Sequence, residues 1–412
     1  MDNSKADLAS RTLQNELSGV FKSTVFRIPS LLYERESKTL LAFAEERKTA
    51  SDASAEKLVM RRGMLKDCDG KKNVEWTPSK PVNEAKIDGC RPMNPCPVYD
   101  KNSKTLFLFF VCIEGTFTDH DQKDDALHST RLCFVTSDDL GETWSSLTNL
   151  TDTLPEIKQW AAFAVGPGHG LQTEKGRLIV PLYASNLTSS SHSCFKPASG
   201  QAAHARCLYS DDGKQWKLGT GFETPSGECE MAEFFDGGQS VIYCNARNKG
   251  PYRVEALSAD NGESFEILSG GTLVETYHGC QGSVVAFPAQ TKESHSEGHS
   301  EQKQNQWLLF SHPTNKTKRR DLGVYLNKSP RDPTAWSKPL IINKGPSGYS
   351  DLAYVEDGWF VCLVECGKVS EVEQIGCKVF HYSQINKHSD TVVKSRFHRT
   401  IKQWRAKCLK AE

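Results

Sequence analysis

The chain has 412 residues, with 51 Lys and Arg against 51 Asp and Glu, 37% hydrophobic and 25% charged residues. Such a balance gives no overall field to attract nucleic acid or another polyanion, so any recognition of charge is local. The apolar share is enough for a sizeable core and too small for a membrane protein, and the length suits one of the larger all-β units as well as two ordinary domains.

Residues 1–20 contain no apolar stretch of the kind a secretory signal needs, and no run of eighteen apolar residues follows. The 14 cysteines show no CxxC spacing, and many, such as Cys133, Cys207 and Cys244, lie inside apolar runs where a reduced thiol packs as a small hydrophobe. Together these features point to the reducing, cytosolic side of the cell. The sequons at Asn149, Asn186 and Asn315 then read as surface loops. Short apolar segments, such as TLFLFFVCI (105–113), RLIVPLY (177–183), SVIYCNAR (240–247) and QWLLFSH (306–312), are divided by Gly, Pro, Asn and Asp. They predict strands, and the class is all-β.

Turns repeat between these strands. SDDLGETW (137–144), YSDDGKQW (209–216) and SADNGESF (258–265) share the pattern Asp-x-Gly-x-x-aromatic. The Asp accepts hydrogen bonds from its own turn, the Gly takes a positive φ and the ring pins the hairpin. NVEW (73–76) and SPRDPTAW (329–336) resemble degenerate copies. Asp139, Asp211 and Asp260 are spaced by about 60 residues on average, beyond the roughly 40–45 of WD40 blades. Division of the chain by that spacing predicts a six-bladed β-propeller. Two polar insertions, near 185–205 and 288–306, read as long loops. The histidines that go with the second, His295, His299 and His312, are read as part of a solvated insertion and not as metal ligands. The tail, 389–412, places Val393, Phe397, Ile401, Trp404 and Cys408 on one helical stripe among seven Lys and Arg. That basic amphipathic pattern suits an anionic membrane surface, with packing on the propeller or a solvated tail as the other readings.

FRIPSLLY (26–33) and LLAFAEER (40–47), followed by the Asp-box turns, resemble the animal exo-α-sialidase family. The resemblance continues through RRG (61–63), MNPCP (93–97), FAVGPGHG (163–170), ECEMAE (228–233), NAR (245–247), GCQGSV (279–284), DLGVYLN (321–327) and GYSDL (348–352). CLVECG and EQIGCKVF, within 362–380, look most like the plasma-membrane-associated, ganglioside-cleaving branch, with the cytosolic branch close behind. The resemblance implies a catalytic propeller over 21–388, an extension at 1–20 and the basic tail. It implies no cofactor and no metal. The partners it implies are sialylated glycolipids (gangliosides), oligosaccharides and glycoproteins, and the location a peripheral plasma membrane or another cytosol-accessible membrane, with the cytoplasm as the alternative.

Sialic acid carries a carboxylate on its anomeric carbon, and planar guanidinium forks suit one fixed anion. The resemblance implies Arg27, Arg247 and Arg319 for this task; Arg320 is adjacent, but alignment through the flanking motifs favours Arg319. Glu365 is implied as the acid that orients the first arginine. An anionic nucleophile beside the substrate carboxylate is unfavourable, because like charges about 4 Å apart at an effective dielectric near 20 repel by roughly 4 kcal/mol. A neutral phenol with a base avoids this, and sialidases with a tyrosine nucleophile are the recognised exception to the two-carboxylate scheme. The implied nucleophile is Tyr349 and its base Glu228, with Asp52 as acid/base, which places the activity optimum on the acid side. Arg47, Met93, Asn94, Tyr183 and Asp119 are implied as substrate-binding. Two positions depart from the family pattern: Ala184 and Ser185 follow Tyr183 where a second tyrosine is usual, and Asp119 follows Thr118 where Glu is usual. Two rival readings are a lectin-like propeller that binds sialic acid without cleaving it and a kelch- or WD40-type scaffold. The first predicts loss of Tyr349, Glu228 or Asp52, and all three are present. The second does not place arginines at the family motifs.

Overall fold

The computed structural model describes residues 13, 17–68, 71–115, 130–186, 202–290 and 305–385. Among them the structure is all-β, antiparallel and propeller-like. Four discrete blades follow one another along the chain. The first comprises Val25–Glu34, Thr39–Arg47, Ala55–Cys68 and Lys71–Trp76. The second comprises Cys90–Asp100, Thr105–Glu114, Thr130–Ser137 and Thr148–Asn149. The third is built on Trp160–Val165, Leu178–Asn186, His204–Ser210 and Lys217–Leu218, and the fourth on Cys229–Asp236, Gln239–Ala246, Val254–Ser258 and Glu266–Ile267.

The expectation of six blades is corrected here. The six strands from Ser283 onward join with Ser18–Phe21 in one seven-stranded sheet, not further separate blades, so four blades stand alone. The cause is the fifteen-residue strand Leu340–Tyr354. Its first half pairs with Arg320–Asn327 (Val324 opposite Leu340) and its second half with Trp359–Cys366 (Tyr354 opposite Phe360), so two ladders share one strand. Turn spacing along the chain is blind to a strand that does not turn. At the far edge of this sheet Ser18–Phe21 pairs with Gln374–His381, Ser18 opposite Cys377, so the first strand described is hydrogen-bonded to the last.

Both faces of a blade are covered, which explains near-continuous apolar strands. In Thr39–Arg47, Leu41 and Phe43 pack with Leu106, Phe110 and Cys133 of the second blade. Leu40, Ala42 and Ala44 pack with Val361, Leu363 and Ile375 of the seven-stranded sheet. Eleven described cysteines are free and ten of these are buried.

The repeated turns have the expected chemistry with one shift of register. The Asp139 carboxylate accepts from Thr143 N (2.9 Å) and Thr143 Oγ1 (2.6 Å), and that of Asp260 accepts likewise from Ser264. In the middle copy Asp212, not Asp211, accepts from Lys214 N and Gln215 N, because the Asp211 carboxylate is taken by Arg177. His312 is also not part of a solvated insertion. It is fully buried in the strand Gln306–Pro313, with Nε2 2.9 Å from Glu275 Oε1.

At the hub, where inner strands converge, Glu230 and Asp351 lie fully buried with His169 beside them. Asp351 accepts from Leu31 N (2.6 Å) and Ser283 Oγ (2.8 Å), and its Oδ1 is 2.8 Å from His169 Nδ1. Glu230 accepts from Val284 N (2.8 Å) and His169 N (3.3 Å). Burial, followed by the charge of Asp351, pushes the Glu230 carboxyl well above its ordinary value near 4.5. The folded state therefore keeps a proton that the unfolded chain loses, and this contribution to stability falls as pH rises from about 4.5 towards the raised value. Glu230→Gln removes the titration. The variant is expected to gain stability over the parent as pH rises from 4.5 to 8, with no gain below 4.5, in urea melts across that range. A stability difference independent of pH refutes the assignment of the proton.

Candidate functional site

The inner strands reach the mouth of the propeller through irregular pairing. The register shifts between Arg27 and Ser30, between Met93 and Cys96, and between Ser347 and Ser350. Ile28 and Asn94 have positive φ values of 59° and 57°. Bulged, left-handed positions in non-glycine residues re-aim side chains at a cost of about 1–3 kcal/mol each. Here they lie beside Arg27, whose guanidinium approaches the Tyr349 ring, and at Asn94, whose backbone donates to Glu45.

Tyr349 is at the centre, 6% exposed. Its hydroxyl donates to Glu228 Oε1 and accepts from Arg247 Nη1 at 2.9 Å; the same Arg247 nitrogen donates to Glu228 Oε2 at 2.7 Å. Arg27 and Arg319 approach the ring, with guanidinium carbons 5.7 and 5.1 Å from its centroid. Burial, followed by the Glu228 carboxylate, pushes the Tyr349 phenol well above its ordinary value, while Arg247 and Arg319 pull it down. The net effect keeps the phenol protonated beside its base.

Glu365 is fully buried and accepts from Arg27 Nε (2.6 Å), Ile28 N (2.9 Å) and Tyr349 N (3.1 Å). It therefore fixes one guanidinium and the backbone of Tyr349 together. Of the two candidates at 319 and 320, Arg319 is half-buried and faces Tyr349, whereas Arg320 is exposed. Asp52 begins a short 3-10 turn at the rim, with a side chain 56% exposed. Arg47 Nη1 donates to its carboxylate and Arg91 Nη1 to its carbonyl. Arg27 and Arg47 both donate to Ala50 O, at 3.5 and 3.2 Å, so the rim loop is tied to two arginines.

Met93 and Asn94 are buried; Asn94 Nδ2 donates to Val165 O at 3.2 Å and Arg91 Nη1 lies 3.4 Å from Met93 Sδ. Tyr183 is half-buried opposite Ala164 in the third blade, packed against the core shared by the second and third blades. Asp119 and the tail 389–412 lie outside the described residues. Thus Arg27, Glu228, Arg247, Arg319 and Glu365 gather around Tyr349, and Arg47 with Asp52 joins them through the carbonyl of Ala50.

Several supporting residues escape a reading of the sequence. Glu45 is fully buried, accepts from Arg47 Nε (2.7 Å) and Asn94 N (2.7 Å), and so joins the first two blades. The signal was available: Glu45 follows Leu41 and Phe43 at period two, on the face of the strand that is otherwise apolar. Arg91, and Cys280, which packs against Tyr349 and Ile28, carried no comparable pattern.

A family described as BNR repeat-like domain matches residues 38–362. Human Sialidase-3 is 41% identical over 396 residues, covering 89% of this chain and 91% of that protein. Mouse Sialidase-2 is 42% identical over 360 residues, covering 84% and 90%. Among solved structures, the Hadza microbial sialidase Hz136 superposes with a TM-score of 0.68 at 22% identity, covering 87% of this chain and 66% of that one. The Trypanosoma rangeli sialidase gives 0.64 at 17%, covering 94% and 61%. At these identities the structural likeness establishes the fold, and the sequence relatives establish kinship.

Proposed function

Given that the chain belongs to the animal sialidase family and is a retaining exo-α-sialidase acting on sialylated glycoconjugates, we propose the following roles for its residues. Arg27, Arg247 and Arg319 hold the substrate carboxylate. Asp52, at the open rim, gives its proton to the glycosidic oxygen. Tyr349 Oη attacks the anomeric carbon as Glu228 takes the phenolic proton, and the aglycone departs. Water, deprotonated by Asp52, then displaces the tyrosine oxygen, Glu228 returns its proton to the phenol, and two inversions give net retention.

The observation that carries this reading is the buried Tyr349 hydroxyl, which donates to Glu228 while it accepts from Arg247. The raised phenol suits it: Tyr349 stays neutral beside the incoming carboxylate and loses its proton only as the new bond forms. NMR of a fluorogenic sialoside digest tests the outcome. The α-anomer of sialic acid is expected first; the β-anomer as the first product refutes the double displacement.

Gangliosides are the proposed preferred substrates and a cytosol-accessible membrane the proposed location. Support comes from the branch resemblance, the basic tail and the loops beside Arg247 and Arg319. Those loops expose Tyr252 (50%) and Tyr277 (68%) next to exposed Lys249, Lys316, Lys318 and Arg320. No helix among the described residues is long and apolar enough to cross a membrane. A side-by-side assay on mixed ganglioside and a sialylated glycoprotein tests the preference. For location, the full chain is expected to co-sediment with anionic vesicles at low salt, and a chain ending at residue 388 to bind less. Equal binding by both removes the tail from the contact; binding by neither overturns the membrane location.

A further inference from the structure

Two of the three guanidiniums are aimed by consecutive main-chain carbonyls. Arg247 Nη2 donates to His278 O at 2.7 Å, and Arg319 Nη2 donates to Gly279 O at 3.1 Å. The loop that presents these oxygens, 275–280, is shaped by a single carboxylate. Oε1 of Glu275 accepts from Thr276 N (2.9 Å) and Cys280 N (3.1 Å). Oε2 accepts from Arg253 Nη1 (2.7 Å) and Asn248 N (3.2 Å). Asn248 directly follows Arg247, so Glu275 fixes both the backbone that carries Arg247 and the loop that receives its guanidinium.

The charged core of this network is closed to solvent: the side chains of Glu275, Arg253 and His312 are 0% exposed. Arg253 also donates to Cys280 O and, through Nε, to Asn245 Oδ1 at 2.7 Å. Burial alone would raise the Glu275 carboxyl, but Arg253, then His312, hold it well below the usual carboxylate range. The other end of the loop is equally constrained. Gly279 has φ +73°, and a Cβ there would lie 2.6 Å from Arg247 Nε and 2.8 Å from its Cγ. Only glycine permits that approach. Removing three ionisable groups from water is costly, and none of them has a part in the proton transfers above.

We infer that Glu275 is a positioning residue that sets the separation and aim of Arg247 and Arg319, and thereby the affinity for the substrate's carboxylate. The inference rests on the reading that these arginines hold that carboxylate. A merely structural role would weaken every ligand alike; a positioning role acts through the one anionic group.

The test measures inhibition of fluorogenic sialoside hydrolysis by 2,3-unsaturated sialic acid and by its C1 carboxamide. The parent enzyme, Glu275→Gln and Glu275→Asp are compared, with thermal melts alongside. Glu275→Asp keeps a carboxylate opposite Arg253 and His312 but shortens its reach to Thr276 N and Cys280 N, so it decides the matter if Glu275→Gln does not fold. In both variants the acid is expected to weaken about tenfold or more, as for a lost charge-assisted contact. The carboxamide should change less than about twofold, within the range of a minor polar adjustment. Equal weakening of acid and carboxamide, or no change in either, overturns the inference. If the parent enzyme itself fails to prefer the acid, the fault lies with the arginine reading.

Discussion

Tyr349→Phe is expected to lower turnover of a fluorogenic sialoside at least a hundredfold, with the affinity for sialic acid nearly unchanged. The substitution removes one oxygen, and that oxygen is the atom proposed to bond to the anomeric carbon. What it leaves behind is otherwise intact: Arg247 still donates to Glu228 at 2.7 Å, and Tyr349 N still donates to Glu365. Loss of a single positioned proton-transfer role commonly costs about 10²–10⁴-fold, and here the nucleophile is lost with it. Retention of more than about a tenth of the parent turnover would mean that another group attacks or that the reaction needs no covalent step. Single-turnover kinetics check the second possibility, because the variant should accumulate no glycosyl-enzyme.

Glu365→Gln is expected to produce the largest loss of stability among the site variants. Arg27 and Glu365 have side chains only 10% and 0% exposed, so their pair is formed in a poorly solvated place. Removing one member of a buried pair strands the other, at a cost of about 3–5 kcal/mol. The glutamine keeps the size of the side chain but turns one acceptor into a donor. It cannot satisfy Arg27 Nε, Ile28 N and Tyr349 N as the carboxylate does. Urea unfolding should show the loss, and KM for the sialoside should rise because Arg27 is no longer oriented. A loss below about 1 kcal/mol with unchanged KM would reduce Glu365 to a bystander, since a marginal effect of that size is typical of exposed pairs.

The two variants mark what the sequence made readable and what it hid. Residues in recurring local motifs were legible: the arginine after Phe26, the glutamate before Cys229 and the tyrosine after Gly348 all meet in space. Arg319 against Arg320 is a question of one residue; alignment favours Arg319, and it is Arg319 whose side chain lies against the Tyr349 ring. Partners that exist only after folding were not legible. Glu275 has an undistinguished context in the chain, and its role comes from Asn248, Arg253, Cys280 and His312, up to 37 positions away. His312 is misread for another reason: it closes the apolar run QWLLFSH, beyond the 288–306 insertion, and is grouped with the polar insertion although its own strand pattern already buries it. The blade count failed on different grounds. Three regular turns set a mean spacing, and nothing in that spacing reveals that Leu340–Tyr354 serves two ladders.

The pairing of Ser18–Phe21 with Gln374–His381 also has a biosynthetic meaning. Ser18 leaves the ribosome some 360 residues before its partner Cys377 exists. Until then the seven-stranded sheet has an open edge, and Val20 and Phe21 have no apolar partners from Val361, Ile375 and Cys377. The four discrete blades have local strands and can form as they emerge, but closure across the whole chain must wait for its end. Closing so long a loop is entropically unfavourable and makes late assembly slow. A nascent chain stalled before residue 374 should therefore present an unpaired first strand to chaperones, whereas one released after residue 385 should not.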